Sequence, residues 1–122
     1  MIRMVPMLFR TKLSIPEMDS SGTVIKTRKK VPVSRELVLG AAVFGFIPMG
    51  QLVTSRKGAL AEYVVLPAKN MCLKPGPIPF DHAAKLPIAG ISALALMDLA
   101  KLKPGYSLLV NTTSGGIRSI VV

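Results

Sequence analysis

Residues 103–117 read KPGYSLLVNTTSGGI, an apolar run that ends at a pair of glycines. Residues 106–111 are apolar at most positions, a pattern typical of a strand buried on both faces of a parallel sheet. Residues 117–122 follow the glycines and predict the start of a helix. Strand, turn and helix start together predict a phosphate-binding turn, because glycines let a backbone approach a pyrophosphate and helix N-terminal amides attract its charge.

The residues immediately before this turn predict helices. Residues 80–84 open like a helix, and Pro87 then breaks or kinks the pattern. Residues 88–101 carry apolar side chains at helical spacing. Lys101 and the Pro-Gly pair at residues 104–105 are typical of a helix end.

The part of the chain before residue 80 predicts short strands. Residues 21–27, 42–46 and 58–67 are rich in β-branched or apolar residues and are bounded by glycine or proline. Residues 70–75 predict a short extended piece, and residues 49–57 a loop. An all-β part that leads into the first unit of an α/β part predicts a mixed, α+β fold.

The charge of the chain is strongly basic. It has 16 Lys and Arg against 6 Asp and Glu, a net charge of +10, and its densest run is KTRKK at residues 26–30. We interpret that run as a solvated turn rather than a nucleic-acid patch, because no aromatic side chain is interleaved with it. Arg3, Arg10 and Lys12 give the first residues a composition also found in mitochondrial presequences, but Pro6 interrupts the helix that such a presequence needs.

Residues 37–55 carry no charge and approach the length of a membrane-spanning helix. Gly40, Gly45, Pro48 and Gly50 interrupt this segment. Such punctuation favours short buried strands joined by turns. A small basic protein associated with a membrane stays as an alternative interpretation.

Five segments of the chain match one known set of motifs in order. They are residues 18–22 (MDSSG), 40–45 (GAAVFG), 58–63 (GALAEY), 83–93 (AAKLPIAGISA) and 103–117. The set resembles the motifs of the medium-chain dehydrogenase/reductase superfamily, in its zinc-free quinone-reductase and enoyl-reductase branch. The resemblance covers essentially all of residues 7–122 and is greatest to fungal members, some of which act in secondary metabolism.

The resemblance implies a fold and a reaction. It implies a GroES-like, partly open β-barrel followed by the first strand, turn and helix of a truncated Rossmann domain. Residues 1–80 would be a partial catalytic domain, and residues 81–122 a connecting helix and the start of the nucleotide-binding domain. The implied reaction transfers a hydride from NADPH or NADH, without zinc, to a quinone or an activated C=C of an enone or enoyl substrate. Because the chain stops where the second half of the fold should begin, we expect an incomplete, inactive fragment.

The resemblance also implies where a nicotinamide cofactor binds. Ser92 stands where the motif has threonine and keeps its hydroxyl, which in relatives lies by the nicotinamide. The expected cofactor-binding residues are Ser92, Asn111, Thr113, Ser114, Gly115, Gly116 and Ile117. No residue of the chain stands out as a catalytic acid or base, so catalytic residues stay unknown.

The chain departs from the family pattern at informative positions. Glu17 stands where the first glycine of the early motif is usual, and Arg118 stands near the third glycine of the phosphate turn. An arginine there would crowd the close backbone approach or pair with a phosphate. Zinc-dependent relatives carry Gly-His-Glu where this chain has residues 18–20, and with one cysteine and one histidine we expect no bound metal.

Four other polar or reactive side chains are assigned non-catalytic roles. We expect Asp19 to be a structural turn carboxylate rather than a general base, and His82 to face solvent. Cys72 is expected as a small buried hydrophobe, and Tyr63 as a packed strand residue.

Two alternatives to a reductase stay open at this point. One is a non-catalytic remnant or partner-binding β module, whose exposed sheet edges would form a homodimer or aggregate. The other is the membrane-associated protein named above, which the interrupted segment disfavours. The leading hypothesis implies a small-molecule substrate, no nucleic-acid partner and a cytoplasmic location, with a mitochondrial location as the alternative.

Overall fold

The structure, a computed structural model, describes residues 14–28, 37–111 and 115–121. Strands and helices alternate irregularly along the chain, which confirms the mixed fold. The strands are β1 (Asp19–Thr23), β2 (Ala42–Phe46) and β3 (Met71–Leu73), and the α-helices are α1 (Met49–Ser55), α2 (Phe80–Ala83), α3 (Pro87–Ala100) and α4 (Gly116–Val121).

The three strands form one antiparallel sheet in the order β1-β2-β3. Asp19 pairs with Phe46 at one end of the β1–β2 ladder, and Val43 pairs with Leu73 across β2 and β3. The predictions of a strand at 42–46 and an extended piece at 70–75 are therefore confirmed. β2 is the central strand, and its alternating half-buried and buried residues reflect this position.

The two faces of the sheet have different neighbours. Asp19 and Ser21 reach α3 and α2 on one face through their side chains. Because side chains alternate along a strand, Val24 and Val43 lie on the opposite face. There they form a small buried cluster with Leu37. The helices therefore cover one face, and this cluster marks the other.

β1 ends earlier than the sequence pattern predicts. Residues 24–27 continue the β-branched run, but the partner strand ends at a turn where Gly40 has φ +85°. Val24 makes the last ladder bonds, donating its N–H to Ala41 O (2.9 Å) and accepting from Gly40 N–H (2.8 Å). Beyond Val24 none of the described backbone pairs with β1, so the prediction of a strand to residue 27 is wrong.

Residues 49–57, predicted as a loop, form α1 as far as Ser55. Pro48 precedes the helix with its φ fixed at −58°, and the Ser55 hydroxyl donates to Gln51 O at 2.6 Å. Arg56 ends the helix in the left-handed conformation. The glycine and proline of this segment were thus helix-boundary signals rather than loop signals.

Residues 37–55 do not form one continuous helix, because β2 lies in their middle and α1 near their end. In the three described ranges, no helix has the length and hydropathy required to cross a bilayer. The interpretation of this segment as a membrane-spanning helix is wrong.

The predicted helices at residues 80–84 and 88–101 are confirmed as α2 and α3. Pro87 occupies the first turn of α3, where its missing N–H costs no intrahelical hydrogen bond. Lys101 ends α3 in the left-handed conformation with φ +47°. Pro87 and Ala93 are the buried residues of this helix, so small side chains bring it close to its neighbours.

Two predicted strands are absent from the structure. Residues 58–60 hydrogen-bond back to residues 15–17, and residues 61–67 continue through bends without a strand partner. Residues 106–111 form no strand and make no ladder bonds, and Leu109 is 92% exposed. A parallel strand needs a neighbouring strand, and no strand of the described residues flanks this segment.

Glu17 has φ +70°, a left-handed conformation that favours glycine. We expect Glu17→Gly to raise the free energy of unfolding by about 0.5 kcal/mol, because the left-handed penalty of a non-glycine residue exceeds the entropic cost of glycine. Urea unfolding followed by circular dichroism measures the change. The control is Glu62→Gly, because Glu62 has no positive φ and its replacement should lower stability. A loss at both positions would contradict the expectation.

Candidate functional site

Gly115 and Gly116, the two glycines of the predicted phosphate-binding turn, lie where α4 packs against α3. Gly116 begins α4, and a Cβ added to it would lie 3.0 Å from the Ala89 Cβ of α3. That separation is tighter than most Cβ contacts, so a side chain here would push the neighbouring helix away by a few tenths of an ångström, and the close approach favours glycine. Gly115, just before it, has φ +151°, which L-residues rarely adopt.

The structure places the predicted cofactor residues unevenly. Ser92 is half-buried on α3, three residues after Ala89, and residues three apart on a helix are neighbours on its surface. Gly115, Gly116 and Ile117 are exposed at the start of α4. Asn111 is exposed at the end of the segment 106–111. Thr113 and Ser114 lie outside the described residues.

Arg118 is not the residue at the close contact between α3 and α4. It is half-buried in α4, and the tight contact between the two helices is made at Gly116 instead. The expectation that an arginine at residue 118 would crowd this approach therefore does not apply to the α3–α4 contact.

The first turn of α4 presents backbone donors to its surroundings. Ser119 N–H donates to Gly115 O at 3.2 Å, and the Ser119 hydroxyl donates to the same oxygen at 3.0 Å. The N–H groups of Gly116 and Ile117 come before the first intrahelical bond, where a helix supplies no acceptor. Such donors, next to glycines without side chains, suit an anionic group.

The other polar contact near α3 comes from β1. The Asp19 carboxylate accepts a hydrogen bond from Ile88 N–H at 3.1 Å, which caps the first turn of α3 from a strand 69 residues away in sequence. The Ser21 hydroxyl donates to Phe80 O and so ties α2 to the same strand. These two contacts fix the start of α3, and with it Ser92, against the sheet.

Burial raises the pKa of Asp19 above its usual value of 3.8, opposed by the Ile88 hydrogen bond and assisted by the nearby charge of Glu17. The net upward shift means that the folded state favours the uncharged acid. Stability from this group is therefore full at low pH and falls as the pH rises from 3.8 through the raised pKa. The carboxylate role assigned from the sequence, structural rather than catalytic, agrees with this geometry.

We expect Asp19→Asn and Asp19→Ala to separate the hydrogen bond from the charge. Asparagine keeps an acceptor for Ile88 N–H and carries no charge, so its stability at pH 7 should equal or exceed that of the parent. Alanine leaves that N–H without its cap and should cost about 1 kcal/mol. Urea unfolding between pH 3.5 and pH 7 measures both, and the asparagine variant should lose the decline of stability with rising pH. If stability still declines with rising pH in the asparagine variant, the decline comes from another titrating group.

The chain is similar to several proteins named as reductases or oxidoreductases. It is 34% identical over 110 residues to the 2-methylene-furan-3-one reductase of Solanum lycopersicum, a match that covers 89% of this chain and 28% of that protein. It is 32% identical over 110 residues to the chloroplastic NADPH-dependent alkenal/one oxidoreductase of Arabidopsis thaliana. A trans-enoyl reductase of Penicillium oxalicum is 30% identical over 91% of the chain.

All three relatives are members of one superfamily. The chain belongs to the medium-chain dehydrogenase/reductase superfamily. It spans about a third or less of the length of the curated relatives it matches. No family model and no solved structure matches it.

One departure from the superfamily motifs and one glycine that matches them can now be placed. Glu17, at the usual glycine of the early motif, holds the left-handed conformation for which glycine is suited. Gly58, which begins the third of the five motifs (GALAEY, residues 58–63), is buried against the backbone of residues 15–16. The superfamily glycines thus mark positions where this fold constrains the backbone.

The remaining candidate residues are exposed. His82 is exposed as expected, and its Nε2 lies 3.7 Å from Asp81 Oδ2. Tyr63 is 68% exposed and Cys72 is also exposed, so the predictions that they are packed or buried are wrong. Tyr63 lies in the bends that replace a predicted strand, and Cys72 lies on the short edge strand β3. Among the described residues, no three His, Cys, Asp or Glu side chains gather as metal ligands, and the absence of zinc stays a prediction.

Sequence reasoning missed three features of this region. The cap by Asp19 joins residues that are distant in sequence, so no local pattern announces it. The left-handed conformation of Glu17 had one signal, the glycine usual at that position in the superfamily. The third is the clamp made by Lys74, whose Nζ donates to Ile78 O (2.6 Å) and Pro75 O (2.9 Å) and lies 5.1 Å from the Phe80 ring centroid.

Proposed function

We propose that this chain forms part of an NADPH-dependent reductase that transfers a hydride to a C=C bond conjugated with a carbonyl group. The observation that carries the proposal is the packing of Gly116 on Ala89, one helical turn from Ser92. This contact sets a glycine turn with free backbone donors beside a helix that carries a hydroxyl. The names of the relatives, which include alkenal/one and trans-enoyl reductases, support the substrate class.

The residues are assigned separate roles in holding the cofactor. The backbone N–H groups of Gly116 and Ile117 bind the pyrophosphate, and Gly115 allows its close approach. Ser92 hydrogen-bonds near the nicotinamide end. Asn111, Thr113 and Ser114 are assigned to cofactor binding from their place in the sequence motif. When bound, the cofactor supplies the hydride, and the chain contributes orientation and electrostatics.

The finer fold and the domain division belong to the same proposal. The antiparallel sheet β1-β2-β3 would be part of a GroES-like, partly open barrel within residues 1–80. α3 and α4 would open a Rossmann domain within residues 81–122. The exposed apolar residues of α3 and of residues 106–111 support this, because a helix that is apolar on all sides is normally covered by other elements.

The test is a chimera in which this chain replaces the matched 110-residue segment of the Solanum lycopersicum reductase. We expect the chimera to oxidise NADPH in the presence of an enone, with saturation in both substrates. Ser92→Ala in the chimera should raise the KM for NADPH about tenfold, the effect of one lost hydrogen bond of about 1.4 kcal/mol. Absorbance at the nicotinamide band measures both.

The matched control is Ser107→Ala, because Ser107 is exposed and lies outside the proposed site. It should leave the KM for NADPH unchanged. A folded chimera that binds no NADPH, or one in which both serine variants behave alike, contradicts the proposal.

A further inference from the structure

A groove of about 860 Å³ lies over the face of the sheet opposite α2 and α3. β1 and the residues that follow it form one side, and residues 61–68 form the other. The site proposed above is on α3 and α4, so the groove is a separate feature of the molecule. Its volume falls within the range of about 300–1,000 Å³ found for small-molecule sites.

The floor of the groove is apolar and already ordered. Val24, Val43 and Leu37 lie there and are each less than a tenth exposed. Gly22 also lines the floor, and a Cβ added to it would meet no atom within 4 Å. The floor therefore has apolar surface together with empty space directly above β1.

The far wall is held in place by α1. Gln51 Nε2 donates to Val65 O at 3.3 Å, which ties the bend-rich segment 61–67 to the helix. Val65 is 81% exposed on this wall. One side of the groove is therefore part of the sheet, and the other side is hydrogen-bonded to α1.

The charges at the groove are predominantly positive. Lys26 and Arg28 line the end that follows β1, while Glu62 is the single acidic residue among the lining residues. Both cations are exposed, so their head groups are available to an anion at the mouth of the groove. The two cations are two residues apart in sequence and line the same groove. A carboxylate accepts charge-assisted hydrogen bonds from both lysine and arginine.

We propose that this groove binds a free medium-chain fatty acid, with its alkyl tail along Val24 and Val43 and its carboxylate at Lys26 and Arg28. The apolar floor accounts for the tail, and the pair of cations at one end accounts for the single anionic head. The space above Gly22 accommodates the chain without displacing a side chain. This inference does not depend on the proposed reductase activity.

The test titrates dodecanoate, below its micelle concentration, into the 122-residue protein and follows binding by calorimetry and amide chemical shifts. We expect saturable one-to-one binding, with shifts at Gly22, Val24 and Val43 and none at Ser92 or Gly116. Dodecanol, which has the same tail and no charge, should bind about tenfold more weakly. Equal affinity for the two ligands overturns the assignment of the carboxylate site.

Two variants test the site independently of folding. Lys26→Glu with Arg28→Glu should weaken dodecanoate binding about tenfold or more and leave dodecanol unaffected. The matched control, Lys57→Glu with Lys103→Glu, changes the net charge equally at exposed positions outside the groove and should have little effect. Gly22→Leu should fill the groove and abolish binding of both ligands.

The contrary outcomes are equally definite. No saturable binding of dodecanoate overturns the proposal. So does binding that both charge-reversal pairs weaken to the same extent, since it would follow net charge rather than the groove. Retained binding in a folded Gly22→Leu variant would place the ligand elsewhere.

Discussion

Gly58→Ala is expected to lower the free energy of unfolding by about 3 kcal/mol, at the upper end of the usual cost of overpacking. Gly58 is buried, and its N–H donates to Ile15 O at 2.9 Å. A Cβ at this position would overlap the backbone oxygens of Ile15 and Pro16. These are main-chain atoms that cannot rotate away, so the two segments would have to separate.

The separation would break more than one contact. Ala59 N–H donates to Glu17 O at 2.8 Å and Leu60 N–H donates to Pro16 O at 3.1 Å, and both bonds run between the same two segments. Thermal and urea unfolding by circular dichroism measure the loss. Gly50→Ala is the control, since Gly50 lies in α1 with no atom near its Cβ and should gain about 0.5–1 kcal/mol. Similar losses in both variants would contradict the steric explanation.

Ile47→Ala is expected to lower the free energy of unfolding by about 3 kcal/mol, the middle of the range for truncating a buried isoleucine. Ile47 follows β2, is 1% exposed, and is the largest fully buried side chain among the described residues. Its N–H donates to Met18 O at 2.8 Å, so the backbone is held in place when the side chain is shortened. The surroundings therefore cannot close the resulting cavity fully.

The size of the truncation provides an internal control. Ile47→Val removes one methylene and should cost about 1 kcal/mol, whereas Leu60→Ala, at a side chain that is 68% exposed, should change stability by less than about 0.5 kcal/mol. Equilibrium urea unfolding of the three variants gives the order. An Ile47→Ala loss as small as that of Leu60→Ala would show that residue 47 is not part of the core.

The sequence by itself determined the elements whose signals are local. Residues 42–46 are a short apolar run with Gly40 before it and Pro48 after it, and the structure has β2 there. α3 has a proline at its start and a Pro-Gly pair beyond its end, and both boundaries were predicted within a residue or two. The motif order, read without any structure, also identified the superfamily.

Strands that need a distant partner could not be predicted in the same way. Residues 58–67 and 106–111 are as apolar as β2, yet neither forms a strand. For residues 58–60, the available backbone donors are taken by residues 15–17. For residues 106–111, no strand of the described part of the chain lies alongside. Tyr63 is exposed for the same reason, whereas Cys72 is exposed on the edge strand β3.

The candidate site could likewise be predicted only in part from the sequence, because some of its features depend on contacts between distant segments. The sequence named Ser92 and the glycines at residues 115–116, because glycine turns and hydroxyl positions belong to motifs of fixed spacing. Only the tertiary structure placed Gly116 against Ala89 and set the Asp19 carboxylate on Ile88 N–H. Contacts of this kind join segments that are far apart in sequence. They depend on how the chain packs. The physical reason is that hydrogen bonds and close approaches are set by distances in space, and a local sequence pattern contains no information about those distances.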